Sequence, residues 1–167
     1  MFYLARSYEH IGQYEQAINY YLQRIEGAGW EEEVYYSYYS ITCCKIKLRD
    51  SFVEIAEFAF KAFEYRPTRL ESLYELIVYC RKNEMFQTGY LIGKNLLDLT
   101  PPKEDKLFIH IPIYEWMLRD EVSICVYHTG NYQESLNMCN ELLKLPQVPE
   151  KHKTRIKKNA PFPINHL

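Results

Sequence analysis

The sequence predicts an all-α protein, a right-handed solenoid of about four helix pairs followed by a C-terminal helix. Three observations lead there. A pattern recurs along the chain: a turn residue, an aromatic residue two positions later and a small residue five positions later. It reads Gly12, Tyr14, Ala17, then Glu84, Phe86, Gly89, then Gly130, Tyr132, Ser135, with Asp50, Phe52, Ile55 as a weaker copy that has lost the small residue. The chain is also rich in large side chains and poor in glycine, with 16 Tyr against 6 Gly in 167 residues, which suits packed helices and not a turn-rich β protein. Finally, no stretch shows the strand-type alternation that would compete with helix.

Each part of the pattern has a physical reason. The small residue lets two helices of a pair approach closely, and the aromatic fills the space beside it. One pair cannot bury its own apolar face, so neighbouring pairs must stack. Helices are expected at about 1–12, 13–27, 31–48, 51–65, 68–82, 85–99, 113–128, 131–145 and 149–159. Thr68 with Glu71, Ser51 with Glu54 and Asn131 with Glu134 read as capping pairs that open helices. Pro101-Pro102, Pro112 and Pro146 read as stops. Residues 1–160 form one repeat domain in this reading, and 161–167 a C-terminal tail. Met1 falls where the first helix should already be under way, so the chain is expected to begin inside a helix. Its start, Phe2-Tyr3-Leu4, is then expected to leave apolar surface uncovered for association.

Composition narrows the function classes. Lys and Arg number 20 against 22 Asp and Glu, a net charge of −2, which argues against an overall basic nucleic-acid binder. From Lys151 onward there are five basic residues and no acidic one, and the plain reading is a solvated face of a terminal helix. No window approaches the ~18 apolar residues of a membrane helix, and the N-terminus lacks a signal-peptide pattern. Five Cys without regular spacing suit a reducing compartment, and a cytoplasmic location is expected.

The turn positions lie 38, 34 and 46 residues apart, the long third spacing being taken up by the proline-containing stretch from Thr100 to Pro112. A period near 34 is that of the tetratricopeptide helix pair. In the first copy Ala5, Tyr8, Gly12, Tyr14, Ala17 and Tyr21 match that pattern position by position. Three further signatures lie between the repeat markers. They are Phe2–Tyr8 with Arg24 and Gly29–Tyr36, then Ala62–Glu71, then Leu107–Ile109 with Tyr114–Trp116 and Asp120-Glu121. In this order, from Phe2 to about Asn159, the chain resembles the helical-repeat region that follows the catalytic domain of bacterial and viral family 2 glycosyltransferases. The resemblance implies an accessory module of a sugar-transferring enzyme, with its catalytic domain outside this chain; the alternative is to describe the whole protein as the transferase. It brings no catalytic residues. Such enzymes hold metal and nucleotide sugar with Asp-x-Asp, and the four Asp here, Asp50, Asp98, Asp105 and Asp120, do not form it. Asp50 and Glu84 stand where the repeat favours Gly, and Ile55 where it favours Ala.

Local motifs for other chemistry are weak. Neither a Gly-rich phosphate loop nor C-x-x-C or H-E-x-x-H occurs, so no cofactor or metal is expected. Cys125, His128 and Cys139 are the best soft-ligand cluster, and buried thiols are the plainer reading. Gly89 and Gly93 mark a close helix contact. The candidate groove comprises Arg24, Trp30, Glu33, Tyr36, Arg66, Arg69, Tyr114, Trp116 and Asp120, because Arg and large aromatics are the usual anchors of binding patches. Arg66 and Arg69 flank Pro67, where they are placed to grip a carboxylate or phosphate. Trp30, Tyr36 and Trp116 are placed to stack on sugar faces. The competing reading is inter-repeat packing, with Arg66 or Arg69 paired to Glu33 or Glu71. Tyr3, Ser7, Tyr35, Tyr38, Tyr39 and Tyr74 are expected on a concave face. The expected function is a non-catalytic scaffold. It would hold a protein partner, an upstream catalytic domain, a second copy through the N-terminal end, or a glycan, with no nucleic acid and no membrane span.

Overall fold

The computed structural model describes residues 1–27 and 29–159. Among these, every regular element is helical. They are α1 (Phe2–His10), α2 (Tyr14–Glu26), α3 (Glu31–Leu48), α4 (Phe52–Tyr65), α5 (Glu71–Lys82) and α6 (Phe86–Gly93). A π-helical segment, Ile113–Met117, runs directly into α7 (Leu118–His128), followed by α8 (Tyr132–Lys144) and α9 (Glu150–Asn159). None of these helices is long and apolar enough to cross a membrane. The tail expected at 161–167 lies outside the described residues.

Two compact units are present. The first holds Met1–Leu76 with Pro101–Ile109, and the second Ile77–Thr100 with the chain from His110 on, the division falling inside α5. In the first unit α1 packs on α2, α2 on α3 and α3 on α4; in the second α6 packs on α7, α7 on α8 and α8 on α9.

The turn code is visible in the backbone. Gly12, Glu84 and Gly130 take φ of 79°, 59° and 84°, the left-handed conformation that reverses the chain after a helix. In the weak copy that conformation falls on Arg49 (φ 62°), one position before Asp50, so the expected turn residue is displaced by one. The paired small positions, Ala17, Ile55, Gly89 and Ser135, are all buried.

The caps divide. Ser51 and Glu54 form the expected capping box. Asn131 does not cap α8; its amide donates to Thr129 Oγ1 at 3.1 Å, and Glu134 instead accepts from the Tyr90 hydroxyl at 2.9 Å. The helix expected from Thr68 starts at Glu71, because Glu71 is drawn into an ion pair with Arg69 and does not reach back to Thr68. The helix expected over 85–99 ends at Gly93. Beyond it the winding tightens, with Leu96 N–H on Gly93 O and Leu99 N–H on Leu96 O.

The core of the first unit includes Phe2, Ala5, Ala17, Tyr21, Ile41, Cys44 and Leu107. That of the second includes Trp116, Cys139, Leu142, Val148 and Ile156. Phe2 corrects one expectation. It is buried, with its ring edge-on to Tyr21 and Tyr36, because α1 turns Phe2 and Ala5 inward one helical turn apart. Met1, Tyr3, Leu4 and Ile11 are the exposed apolar residues of this end. Tyr35 and Tyr74, expected on a concave surface, are buried.

Gly93 shows why glycine is needed in a helix. A Cβ there would lie 2.3 Å from Val122 Cγ2 and 3.3 Å from Ile77 Cδ1, both buried. Gly93→Ala is therefore expected to destabilise the fold by about 1–3 kcal/mol through overpacking, although alanine is the better helix former by about 1 kcal/mol. Val122→Ala in the same chain should restore part of the loss. Chemical unfolding of the two variants decides it, and a stabilised Gly93→Ala protein would contradict the close contact.

Candidate functional site

Two arrangements concentrate charge, one in each unit. In the first, Pro101–Ile109 is tied down by side chains from α3, α5 and the α4–α5 turn. Arg66 makes a two-pronged contact with Asp105, Nε to Oδ2 at 2.6 Å and Nη2 to Oδ1 at 2.5 Å. Arg69, 1% exposed, donates to Glu71 through Nε at 3.0 Å and Nη2 at 3.2 Å. It also donates to Asp105 at 3.3 Å and to the carbonyls of Leu107 and Phe108. Its guanidinium carbon lies 4.6 Å from the Tyr35 ring centre, and the Tyr35 hydroxyl donates to Glu71 at 3.0 Å. Glu32 accepts the backbone N–H groups of Lys106 and Leu107 at 2.8 and 2.6 Å. The Arg66 guanidinium holds the Asp105 carboxyl below its ordinary value, and Asp105 raises Arg66 in turn. Thus the carboxylate that these arginines grip belongs to their own chain, 36 or more residues away.

Arg24 plays a similar part at the α2–α3 connection. It donates to Glu33 at 2.7 Å and to the carbonyls of Gly27 and Trp30. Gly29 lies beneath it at φ 148°, where a Cβ would stand 3.0 Å from Arg24 Nη2. The Trp30 side chain is half exposed. Tyr36 sits in a ring cluster with Phe2, Tyr39 and Phe108, and burial pushes its hydroxyl up from the ordinary value. Arg6 caps this cluster, 4.3 Å from the Phe108 ring centre.

The second unit holds the other three expected residues and a cleft of about 320 Å³. Tyr114 is half buried in the π segment. Trp116 is buried, its ring 4.8 Å from that of His152. Asp120 lines the cleft together with Ser123, Ile124, Tyr127 and His128 of α7, Ser135 and Cys139 of α8, and Arg155 and Ile156 of α9. The α7 residues recur at i, i+3, i+4, i+7 and i+8, one face of a helix. Arg155 Nη2 donates to Asp120 Oδ2, and burial pushes the Asp120 carboxyl up despite that partner. Arg81 pairs with Glu121 on the neighbouring face of α7. Burial pushes the Cys125 thiol up to about 12, so it is a packed thiol, while His128 stacks on Phe86 at 4.0 Å. No metal-type cluster of His, Cys, Asp and Glu occurs among the described residues.

Six of the nine expected groove residues thus fall in the first unit and three in the second. Sequence reasoning missed Asp105 and Arg155, the ion partners that decide what the conspicuous arginines and Asp120 do, and Glu32, which holds two backbone amides of the Asp105 segment. Their only signals were an acidic run at a helix start for Glu32, a charge shortly after Pro101-Pro102 for Asp105 and a basic run for Arg155. No family model, curated protein or solved structure matches the chain.

Arg69→Met is expected to cost about 3–5 kcal/mol, since it leaves the buried Glu71 carboxylate without its guanidinium, Asp105 keeping Arg66. Asp105 supplies the pH dependence. Its pKa is lowered by folding, so its contribution is complete above about 3.9, the unfolded value, and is lost as pH falls through the lowered one. Hydrogen exchange at the Lys106 and Leu107 amides should accelerate below that range before global unfolding. Exchange that stays flat until the whole chain unfolds would show that the segment is held by something else.

Proposed function

We propose that this chain is a non-catalytic, tetratricopeptide-like interaction module, the accessory part of a family 2 glycosyltransferase, that pairs with a second copy of itself. The observation that carries the reading is the hairpin repeat. Its left-handed turn and buried small residue recur as Gly12 with Ala17, Glu84 with Gly89, and Gly130 with Ser135, and the weaker copy keeps the turn at Arg49 with a buried but larger Ile55. Hairpins built to one code and too small to stand alone are the units of a stacked solenoid. The ordered motifs from Phe2 to Asp120 support the link to the transferase family.

The pairing follows from α1. Here Met1, Leu4 and Ile11 form an exposed stripe, with Tyr3 beside it. A second copy offers the same stripe, and a two-fold contact needs one patch used twice. In this reading the module brings two catalytic domains together.

Sedimentation of the purified chain over a range of concentrations tests the pairing. A reversible dimer is expected, little changed by salt because apolar burial drives it. Leu4→Glu with Ile11→Glu should give a monomer that melts at the unaltered temperature. A wild-type chain that stays monomeric at every concentration overturns the pairing. Assays with nucleotide sugars test the other half: no turnover above a protein-free control is expected. Turnover lost on substituting a residue of this chain would refute the non-catalytic reading.

A further inference from the structure

We propose that the cleft between α7, α8 and α9 binds a free α-amino acid with an apolar side chain. The proposal rests on what the cleft leaves unpaired. Its small floor residues, Ser135 and Cys139, create the space, and Ile124, Tyr127 and Ile156 give it apolar walls. The serine hydroxyls are already used: Ser123 donates to the Asp120 carbonyl at 2.7 Å, and Ser135 to the Ser123 carbonyl at 2.9 Å. Of the charged groups, the His128 ring stacks on Phe86, and the ion pair is the one with both donors and an acceptor to offer. The Asp120 side chain is 8% exposed and Arg155 Nη2 takes its Oδ2, yet Oδ1 accepts no hydrogen bond among the described residues. Arg155, with 38% of its side chain exposed, donates from Nη2 alone, leaving Nε and Nη1 without a partner among the same residues.

An open acceptor and open donors therefore lie side by side in the lining of a largely apolar cleft. A zwitterion matches both. Its ammonium donates to Asp120 Oδ1, its carboxylate accepts from Arg155, and its side chain covers the apolar walls. Net charge also selects this class. Asp120 and Arg155 balance each other, and the nearby Glu121 is held by Arg81. A simple anion or cation would add an uncompensated charge beside the nearly buried Asp120, whereas a zwitterion adds none. Burial makes the ionised Asp120 costly, so a second donor at Oδ1 relieves a cost already present. A volume of about 320 Å³ is at the lower end for ligand pockets and suits a molecule of this size.

Calorimetric titration of the full chain with L-leucine tests the proposal. One molecule per chain is expected. N-acetyl-L-leucine, which lacks the ammonium, and leucine methyl ester, which lacks the carboxylate, should each bind at least about tenfold more weakly. Asp120→Asn should weaken leucine similarly. Because that change disturbs a buried pair, Ile124→Trp is the companion variant: it fills the cleft from a partly exposed wall and leaves the pair intact. Binding should disappear while the melting temperature holds. No heat of binding with leucine overturns the proposal. So does equal binding of the three compounds, or leucine binding that survives Ile124→Trp.

Discussion

A guanidinium that cannot reach water must find a partner for its charge and for its N–H groups, and Arg69 is that constraint in the first unit. Its side chain is 1% exposed, so desolvation would be prohibitive without compensation. Compensation comes from Glu71 beside it and from a segment far along the chain, Asp105 to Phe108. Satisfying one side chain thereby fixes the path of a stretch that has no regular structure of its own. Glu32 completes the attachment by accepting two successive amides of that stretch. Leu107 is then carried into the apolar core, where it packs with residues of α1, α2 and α3. Polar necessity places the segment, and apolar burial rewards the placement.

The second unit uses an ion pair differently. Asp120 and Arg155 also join distant elements, but the join is incomplete: each partner keeps hydrogen-bonding capacity that the chain does not use. The difference is one of saturation and not of burial, since both Asp105 and Asp120 are nearly inaccessible. Asp105 is surrounded by two guanidiniums and its carboxyl is held low. Asp120 has one guanidinium, a neighbouring Glu121 and the desolvation of its site, and its carboxyl is pushed up. A saturated pair is a strut, whereas an unsaturated one is a place where a ligand gains something.

This distinction explains what was legible from the sequence. The helices and their hairpin turns were readable because their causes are local: a left-handed residue, a small residue, a cap such as Ser51 with Glu54. The departures were local rules overruled from a distance. Glu71 abandoned a capping role at Thr68 for Arg69 and Tyr35. Phe2 looked uncovered because its cover, Tyr36, comes from another helix. The arginine-rich set was recognisable as energetically important. Whether Arg66 and Arg69 face a ligand or their own chain depends on Asp105, whose place in space no short pattern records. Buried struts and binding anchors draw on the same residue types, Arg and the large aromatics.

The repeat itself decides where a cleft opens. Four residues after the small position, the hairpins carry Tyr21, Ala59, Gly93 and Cys139. In the first hairpin Tyr21 fills the space completely and anchors its hydroxyl on Glu9 at 2.6 Å. In the second, the Ala59 carbonyl receives the Ser72 hydroxyl of α5. In the third, Val122 and Ile77 crowd onto Gly93 until no Cβ would fit. In the fourth, Ser135 and Cys139 are both small, and the next helix meets them with Arg155 and Ile156, the arginine turned toward Asp120. Nothing large enters the gap. The same position of the hairpin is thus filled by Tyr21 in the first copy and left small in the fourth, where a cleft walled by apolar side chains contains a half-used ion pair.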